Sequence, residues 1–419
     1  MNPQVDQVPG EGIEPSRAEA HGFLRPARLP IPPSRPNGSS VAARALRAGV
    51  AGLFLLVAAG CTGDASSPEA SGPTIAYLFD GSPPDAELVT SPALAGLELA
   101  AREAGGVEIE PLNIGLRRDE VMASLRTLAA DRGVVAAVVG PWTAPPEGAI
   151  ELLAAGGVPV VTFSWAWGPA PNGEGVWVSF AADRAREAVM LLSVAAGLAS
   201  EGATLCLAAD DQVTSRALLA TTGGLGEAAG EPELEFTGVA ETERAATPEA
   251  VAARVRDSGC PLVVWIGGAT GAASVLSSIG DPISLVGTSR IKTDDGLKLA
   301  PSGIGTFTVC ACQDVSLSTD LRPRRFVHDI QAESGAPPGP FALEAYDAGT
   351  LLTRLLEESD GSRRAVARGL DGLTRFTGLV EAYAFESDGS RTPTPATEGI
   401  WRAAGSRWLP EPSPSSPPE

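Results

Sequence analysis

The sequence predicts an α/β protein of two doubly wound lobes joined by a three-segment hinge. Three observations carry that reading. From residue 74 onward, short β-rich runs alternate with helical stretches. Runs such as VVAAVV (134–139) and LVVWI (262–266) are apolar throughout, as in parallel strands buried on both faces. The alternation also occurs twice, in two units of about a hundred residues each, and then gives way to three successive helices.

The first unit starts with the strand TIAYLF (74–79), closed by Asp80-Gly81. Helices are expected over 87–104, 118–132 and 146–156, with strands at 107–113, 134–139 and 158–163 between them. The second unit places strands at 205–209, 234–240, 262–266 and 284–287, and helices at 183–199, 214–229, 247–258 and 270–279. After TFTVCAC (306–312) come helices over 322–334, 341–358 and 363–372, a strand over 378–385, and a hairpin of Ile400–Arg402 with Arg407–Leu409. Helices without strands cannot build a third doubly wound lobe, so they are expected to return to the first and the late strand to the second. Lobe 1 then holds 74–182 and 313–373, and lobe 2 holds 184–306 and 378–409. The chain crosses near 180–183, 306–312 and 374–378, and ligands of open α/β sheets bind in the crevice at the strand C-termini.

The flanks read differently. Residues 1–40 are rich in Pro, Gly, Ser and Arg with no apolar period. The run from Gly10 to Pro36 resembles translated non-coding sequence, which puts the expected start near Val41 and makes 1–60 a spurious extension plus a signal peptide. Arg44 and Arg47, the apolar segment AGVAGLFLLVAAG and Cys61 follow in the order of an export signal. Val57-Ala58-Ala59-Gly60-Cys61 resembles a bacterial lipobox, which implies a lipid on Cys61 and a chain exported and anchored to the cell membrane, outside the cytoplasm. Residues 61–73 read as a tether of small polar residues, and 410–419 as a disordered proline-rich tail.

Composition excludes several classes. The chain has 419 residues and a net charge of −20, against nucleic-acid binding, which needs clustered Lys and Arg. Residues 1–60 carry +2, leaving about −22 beyond them, so a lipid rather than charge would hold the body at an anionic membrane. Beyond residue 61 His328 is the one histidine, against a histidine metal site or a Ser-His-Asp triad. No cofactor or enzyme activity is expected. Gly267–Gly271 lacks the Lys-Ser/Thr of a phosphate-binding loop and reads as a strand-to-helix turn. Asp210-Asp211 and Asp294-Asp295 read as solvated or capping pairs. Cys206 begins one strand of the second unit and Cys260 just precedes another, a pair within disulfide reach if those strands are neighbours, and Cys310 and Cys312 share one face of an extended run; a structural disulfide is expected, with connectivity open.

Several segments carry a family resemblance. GVVAAVVGPWT (133–143), LLAAGGVPVVTFS (152–164), ALEAYDAGTLL (342–352) and FESDG (385–389) occur in the order found in type I periplasmic binding proteins, closest to the leucine/isoleucine/valine-binding branch. The resemblance implies two Rossmann-like lobes closing over a small-molecule ligand, no covalent chemistry, and an ABC permease in the membrane as partner. It also implies site positions. The serine that holds a ligand carboxylate falls on Ala144, after Trp142 and Thr143. The turn after the fourth strand becomes Ser164-Trp165-Ala166-Trp167. The aromatic positions of the second lobe become Thr214 and Ala269, and the acid that pairs an α-ammonium falls near Ser289, beside Arg290. A free α-amino acid buried there would leave charges unpaired, at several kcal/mol, so the expected ligand is not a simple α-amino acid. Trp142, Trp165 and Trp167 are candidate stacking surfaces, Thr143, Ser164 and Thr214 candidate hydrogen-bonders, and Arg290 a candidate anion partner. The competing readings are a sensory or scaffold lipoprotein of the same fold that binds a protein or has lost its ligand, and, more remotely, an exported hydrolase.

Overall fold

The computed structural model describes residues 72–411, apart from 84, 170–174, 200–203, 230–233, 237–246, 281, 300–304, 311, 314, 316–317 and 393–398. Cys61, the export signal, most of the tether and the tail beyond Glu411 lie outside the described residues.

Lobe 1 opens with β1 (Thr74–Phe79), α1 (Ala86–Ala104), β2 (Glu108–Asn113), α2 (Arg118–Ala130), β3 (Val134–Val139), α3 (Ala149–Ala155), β4 (Val160–Thr162) and β5 (Trp177–Ser179). The strands form one parallel sheet of order β2-β1-β3-β4-β5. All six residues of β3 are buried, as its unbroken Val/Ala sequence requires for a central strand. β5 has no signature in the sequence: it spans three residues and follows a Pro/Gly-rich stretch too short to show a period.

Lobe 2 holds α4 (Arg184–Leu198), β6 (Leu205–Ala209), α5 (Val213–Ala229), β7 (Leu234–Phe236), α6 (Pro248–Ser258), β8 (Leu262–Ile266), α7 (Ala269–Ile279), β9 (Ser284–Gly287), α8 (Asp294–Leu297) and β10 (Thr306–Cys310). Helix starts follow local rules. Asp183 caps α4 by accepting from the Arg186 N–H at 2.8 Å, and Thr247 caps α6, whose first residue is Pro248.

The helices α9 (Leu321–Ser334), α10 (Ala342–Glu357) and α11 (Arg363–Asp371) pack on lobe 1. The Arg363 guanidinium fixes α11 by donating to the carbonyls of Val134 (2.7 Å), Ala129 (2.8 Å) and Gly156 (2.8 Å). The late strand differs from expectation. It is β12 (Ala382–Ala384), and it pairs with β11 (Arg375–Thr377) in a ribbon instead of joining the lobe 2 sheet. The cause is Tyr383, whose buried ring stacks on Phe376 and whose hydroxyl donates to Asp347 of α10 at 2.8 Å. The hairpin β13 (Gly399–Ala404) and β14 (Arg407–Glu411) then adds antiparallel to β10 and takes in the first two residues of the expected tail. The second sheet thus reads β14-β13-β10-β9-β8-β6-β7.

Three segments link the lobes: 180–183, 312–320 and 372–398. A buried cluster ties them together. Phe180 of the first packs against Tyr383 and Phe385 of the third, at 4.8 and 5.4 Å between ring centroids. Arg391 donates to the Phe180 carbonyl at 2.8 Å and pairs with Glu381. The Gln313 N–H of the second donates to Glu344 at 2.6 Å. Glu344, Asp347 and Glu381 thus share one buried cation, Arg391. Burial pushes the Glu344 and Asp347 carboxyls up to about 7, despite opposing hydrogen bonds and Arg391.

Two predictions follow from this architecture. The Glu344 and Asp347 carboxyls bind protons more tightly in the folded chain than in the unfolded one. Their contribution is therefore fully present below the unfolded values of 4.5 and 3.8 and is lost as pH rises through about 7. The depressed surface carboxyls of Asp329, Asp360 and Asp388 titrate below that window. Tm should fall between pH 5 and 8, and Glu344→Gln should flatten that slope; an unaltered slope in the variant would refute the assignment. The second concerns the disulfide between Cys206 of β6 and Cys260, just before the paired strand β8, with a sequence separation of 54, while Cys310 pairs with Cys312. Closing a loop of that length removes about 4 kcal/mol of chain entropy from the unfolded state. Urea titration of the Cys206→Ala/Cys260→Ala variant should show a loss of that order.

Candidate functional site: the cleft between the lobes

Both sheets reverse their strand order at an inner strand: β1 has β2 on one side and β3 on the other, and β6 has β7 and β8. The loops after these strands open into one crevice, as the rule for open α/β sheets requires. Lobe 1 supplies Asp85 before α1, Pro141–Ala144 after β3 and Ser164–Trp167 after β4. Lobe 2 supplies Asp210 after β6, Gly267-Gly268 after β8, and Ser289 and Arg290 in a 3-10 turn after β9.

The inner part of the crevice is closed by the protein's own groups. Arg290, 4% exposed, reaches across the lobes. One guanidinium nitrogen binds Asp85 of lobe 1 at 2.7 Å, and the other binds Asp210 of lobe 2 at 2.7 Å and Ser215 at 3.2 Å. Asp85 stands at the N-cap of α1 but makes no side-chain capping bond there, because its carboxylate crosses to lobe 2. It lies against Gly268, the N-cap of α7, where a Cβ would come within 1.4 Å of the Asp85 Oδ2 atom. The partly positive N-terminus of α7 thus faces the second of two carboxylates that share one arginine. Beside this bridge, the Trp142 indole N–H donates to the Ser289 hydroxyl at 2.8 Å, also from lobe to lobe.

Next to that bond lies a cavity of about 20 Å³, with room for about one water. Trp142, Trp165, Phe163 and Phe341 wall it, with Glu187 of α4 and Ser289. Trp142 and Phe341 have φ of 59° and 64°, the two non-glycine positive values among the described residues. Backbone strain of about 1–3 kcal/mol at each is held at this point of contact between the lobes. Burial pushes the Glu187 carboxyl up to about 8, with a hydrogen bond from Trp165 opposing the shift.

Outward of Trp165 the crevice widens to a groove of about 450 Å³. Ala144, Pro145, Trp165 and Ala166 form its lobe 1 wall. Arg184 of α4 and Val213, Thr214 and Ala217 of α5 form its lobe 2 wall.

The residues singled out from the sequence divide into three sets. Trp142, Ser289 and Arg290 form the inner bridge. Ala144, Trp165, Ala166 and Thr214 line the outer groove. Thr143 and Ser164 line neither: both are buried, the Ser164 hydroxyl donates to the Thr143 carbonyl at 2.8 Å, and the Thr143 hydroxyl accepts from the Asp80 N–H at 3.3 Å. They brace the loops after β3 and β4 against each other and leave no hydroxyl for a ligand. Trp167 is likewise no stacking surface; it is buried in the lobe 1 core. Asp210, read as a solvated or capping acid, instead receives Arg290. Asp85, Glu187 and Arg184 were not identified from the sequence. A signal existed for the first: an arginine directly after a buried strand needs carboxylates at strand ends, where Asp85 and Asp210 stand.

A sequence model of the periplasmic binding protein family matches residues 73–402. The chain belongs to that family. No curated protein matches it significantly in sequence. Among solved structures, the branched-chain amino acid transporter substrate-binding protein LivJ from Streptococcus pneumoniae, in complex with isoleucine, is 15% identical, with 81% of this chain and 100% of that one covered and a TM-score of 0.63. A solute-binding protein of an ABC transporter from R. palustris, in complex with benzoate, is 12% identical over 81% of this chain and 95% of that one, with a TM-score of 0.61. The leucine-binding protein LivK from Thermotoga maritima is 14% identical over 81% and 97%, with a TM-score of 0.59. These likenesses establish the two-lobed type I fold. The family is one of solute-binding proteins rather than enzymes.

In this binding protein the bridge through Arg290 should govern closure. Without added solute, Asp85→Asn should enlarge the radius of gyration measured by small-angle X-ray scattering, and Gly268→Ala should do the same by obstructing the carboxylate. An unchanged radius in both variants would mean that the lobes are held by other contacts.

Proposed function

We propose that the protein is an extracytoplasmic solute receptor of an ABC importer, held at the membrane by a lipid on Cys61, that captures a small molecule between its lobes and passes it to a membrane permease. The observation that carries this reading is the outer groove of about 450 Å³, walled by both lobes and placed at strand and helix ends. A solute bound there touches both lobes at once, so occupancy favours closure about the three linking segments. Family membership and the isoleucine and benzoate complexes of the structural neighbours support a small-molecule ligand. The departures at Ala144 and Ser289 speak against a simple α-amino acid: the first offers no hydroxyl to its carboxylate, and among the described residues the groove offers no acid to its ammonium.

A second reading keeps the fold and gives the protein a sensory or scaffold role with a protein partner. The filled inner crevice favours it. A thermal-shift screen of the purified protein against amino acids, amides, sugars, nucleosides and organic acids separates the two. A ligand present at a hundred times its Kd stabilises by about 2.7 kcal/mol, a clear rise in Tm. Silence across the whole screen would favour the scaffold.

A further inference from the structure

Among the described residues, the walls of the outer groove carry a single charge. Of the residues that line it, Ala144, Pro145, Ala166, Val213 and Ala217 are apolar, and the Thr214 hydroxyl is largely buried. The charge is Arg184, the first residue of α4, whose side chain is exposed and whose guanidinium carbon lies 5.5 Å from the centre of the Trp165 ring. Among the described residues no carboxylate forms an ion pair with it. The nearest candidate in sequence, Asp183, turns its carboxylate to the Arg186 N–H at 2.8 Å as the cap of α4. Glu187, one turn further on, lies inward of Trp165, in the small inner cavity, and bonds the indole there.

We infer that the groove binds an apolar monocarboxylate with a flat hydrocarbon or aromatic body, its carboxylate held by Arg184 and its body against Trp165 and the alanines of the lobe 1 wall. The inference rests on the solute-receptor reading above and narrows its ligand class. Three features of the groove support it. A guanidinium fork matches a carboxylate in shape and charge, and stacks on an aromatic face while doing so. The first turn of α5, with Val213 and Thr214, lines the same wall and presents the positive end of a seventeen-residue helix. The remaining surface has no set of polar side chains for the several hydroxyls of a sugar, and no acid for an ammonium. The ligand would also bridge the lobes, with its charge on α4 of lobe 2 and its body on Trp165 of lobe 1. Arg184 is the specificity-determining residue in this arrangement, since it separates an acid from its neutral amide.

The test uses the whole purified protein and isothermal titration calorimetry with benzoate, phenylacetate and hexanoate, against benzamide and phenylalanine. At least one of the carboxylates should bind, and benzamide and phenylalanine should not. Arg184→Gln, at an exposed position, should keep the Tm of the unliganded protein and weaken the carboxylate on the order of tenfold or more. Ala166→Trp, which fills the groove from lobe 1, should abolish binding. Binding unaffected by Arg184→Gln, or a preference for benzamide, would overturn the inference and leave the receptor reading standing. The same holds if no acid binds while another solute of the broader thermal-shift screen does. If nothing binds in either experiment, the receptor reading fails with it.

Discussion

The structure is organised around a buried arginine that two lobes share. Arg290 binds Asp210 in its own lobe and Asp85 in the other. A guanidinium taken out of water costs several kcal/mol unless carboxylates and hydrogen bonds replace its hydration. In lobe 2 alone it has Asp210 and Ser215. Only contact between the lobes adds Asp85, and only a glycine at 268 lets that carboxylate approach. Removing Arg290 would leave two acids facing each other, so the bridge acts as a unit and not as two separable pairs. Its consequence for function is spatial: the inner crevice, where the family resemblance places charged contacts to an amino acid, is taken by the chain itself.

The linking segments answer the same constraint at the other end of the crevice. Three chain crossings restrict the lobes to a bending motion, and the cluster of Glu344, Asp347, Glu381 and Arg391 stitches all three together. The acids outnumber the cation, so burial raises the carboxyls, and protons complete the balance near neutral pH. Aromatic packing of Phe180, Tyr383 and Phe385 fills the space around them. Motion about this region must preserve that packing, because a cation left without its carboxylates there costs more than most surface interactions can return.

Between bridge and hinge, Trp165 divides the crevice in two. Its inner face closes the small cavity with Trp142 and Phe341, and its outer side forms the wall of the open groove. Small side chains at 144, where the resemblance places a serine, and at 166 leave that wall of the groove apolar. Among the described residues that line the groove, Arg184 on the opposite lobe is the one that carries a charge. The walls around Trp165 thus differ in chemistry from those the family resemblance implies.

Most of the fold was legible in the sequence, because a strand buried on both faces must be apolar throughout and a crossover helix must alternate. VVAAVV, LCLAA and LVVWI announced central strands, and the three helices between 322 and 372, with no strands among them, announced their return to the first lobe. Short elements were not legible: β5 and β11 span three residues each, and although β12 lies within the strand expected over 378–385, its pairing in a ribbon was not, because tertiary bonds to Gly389 and Asp347 rather than local pattern hold these pieces. The site was legible in position and not in role. Loop residues after β3, β4, β6 and β9 were indicated by strand ends together with the family resemblance. Whether a hydroxyl there faces a ligand or a neighbouring carbonyl, as at Thr143 and Ser164, depends on how two loops meet. The partner of Arg290 is 205 residues away in sequence. Sequence determines which groups need partners, since charge and polarity are properties of the residue; distance decides which partners they get, and only the folded chain sets distance.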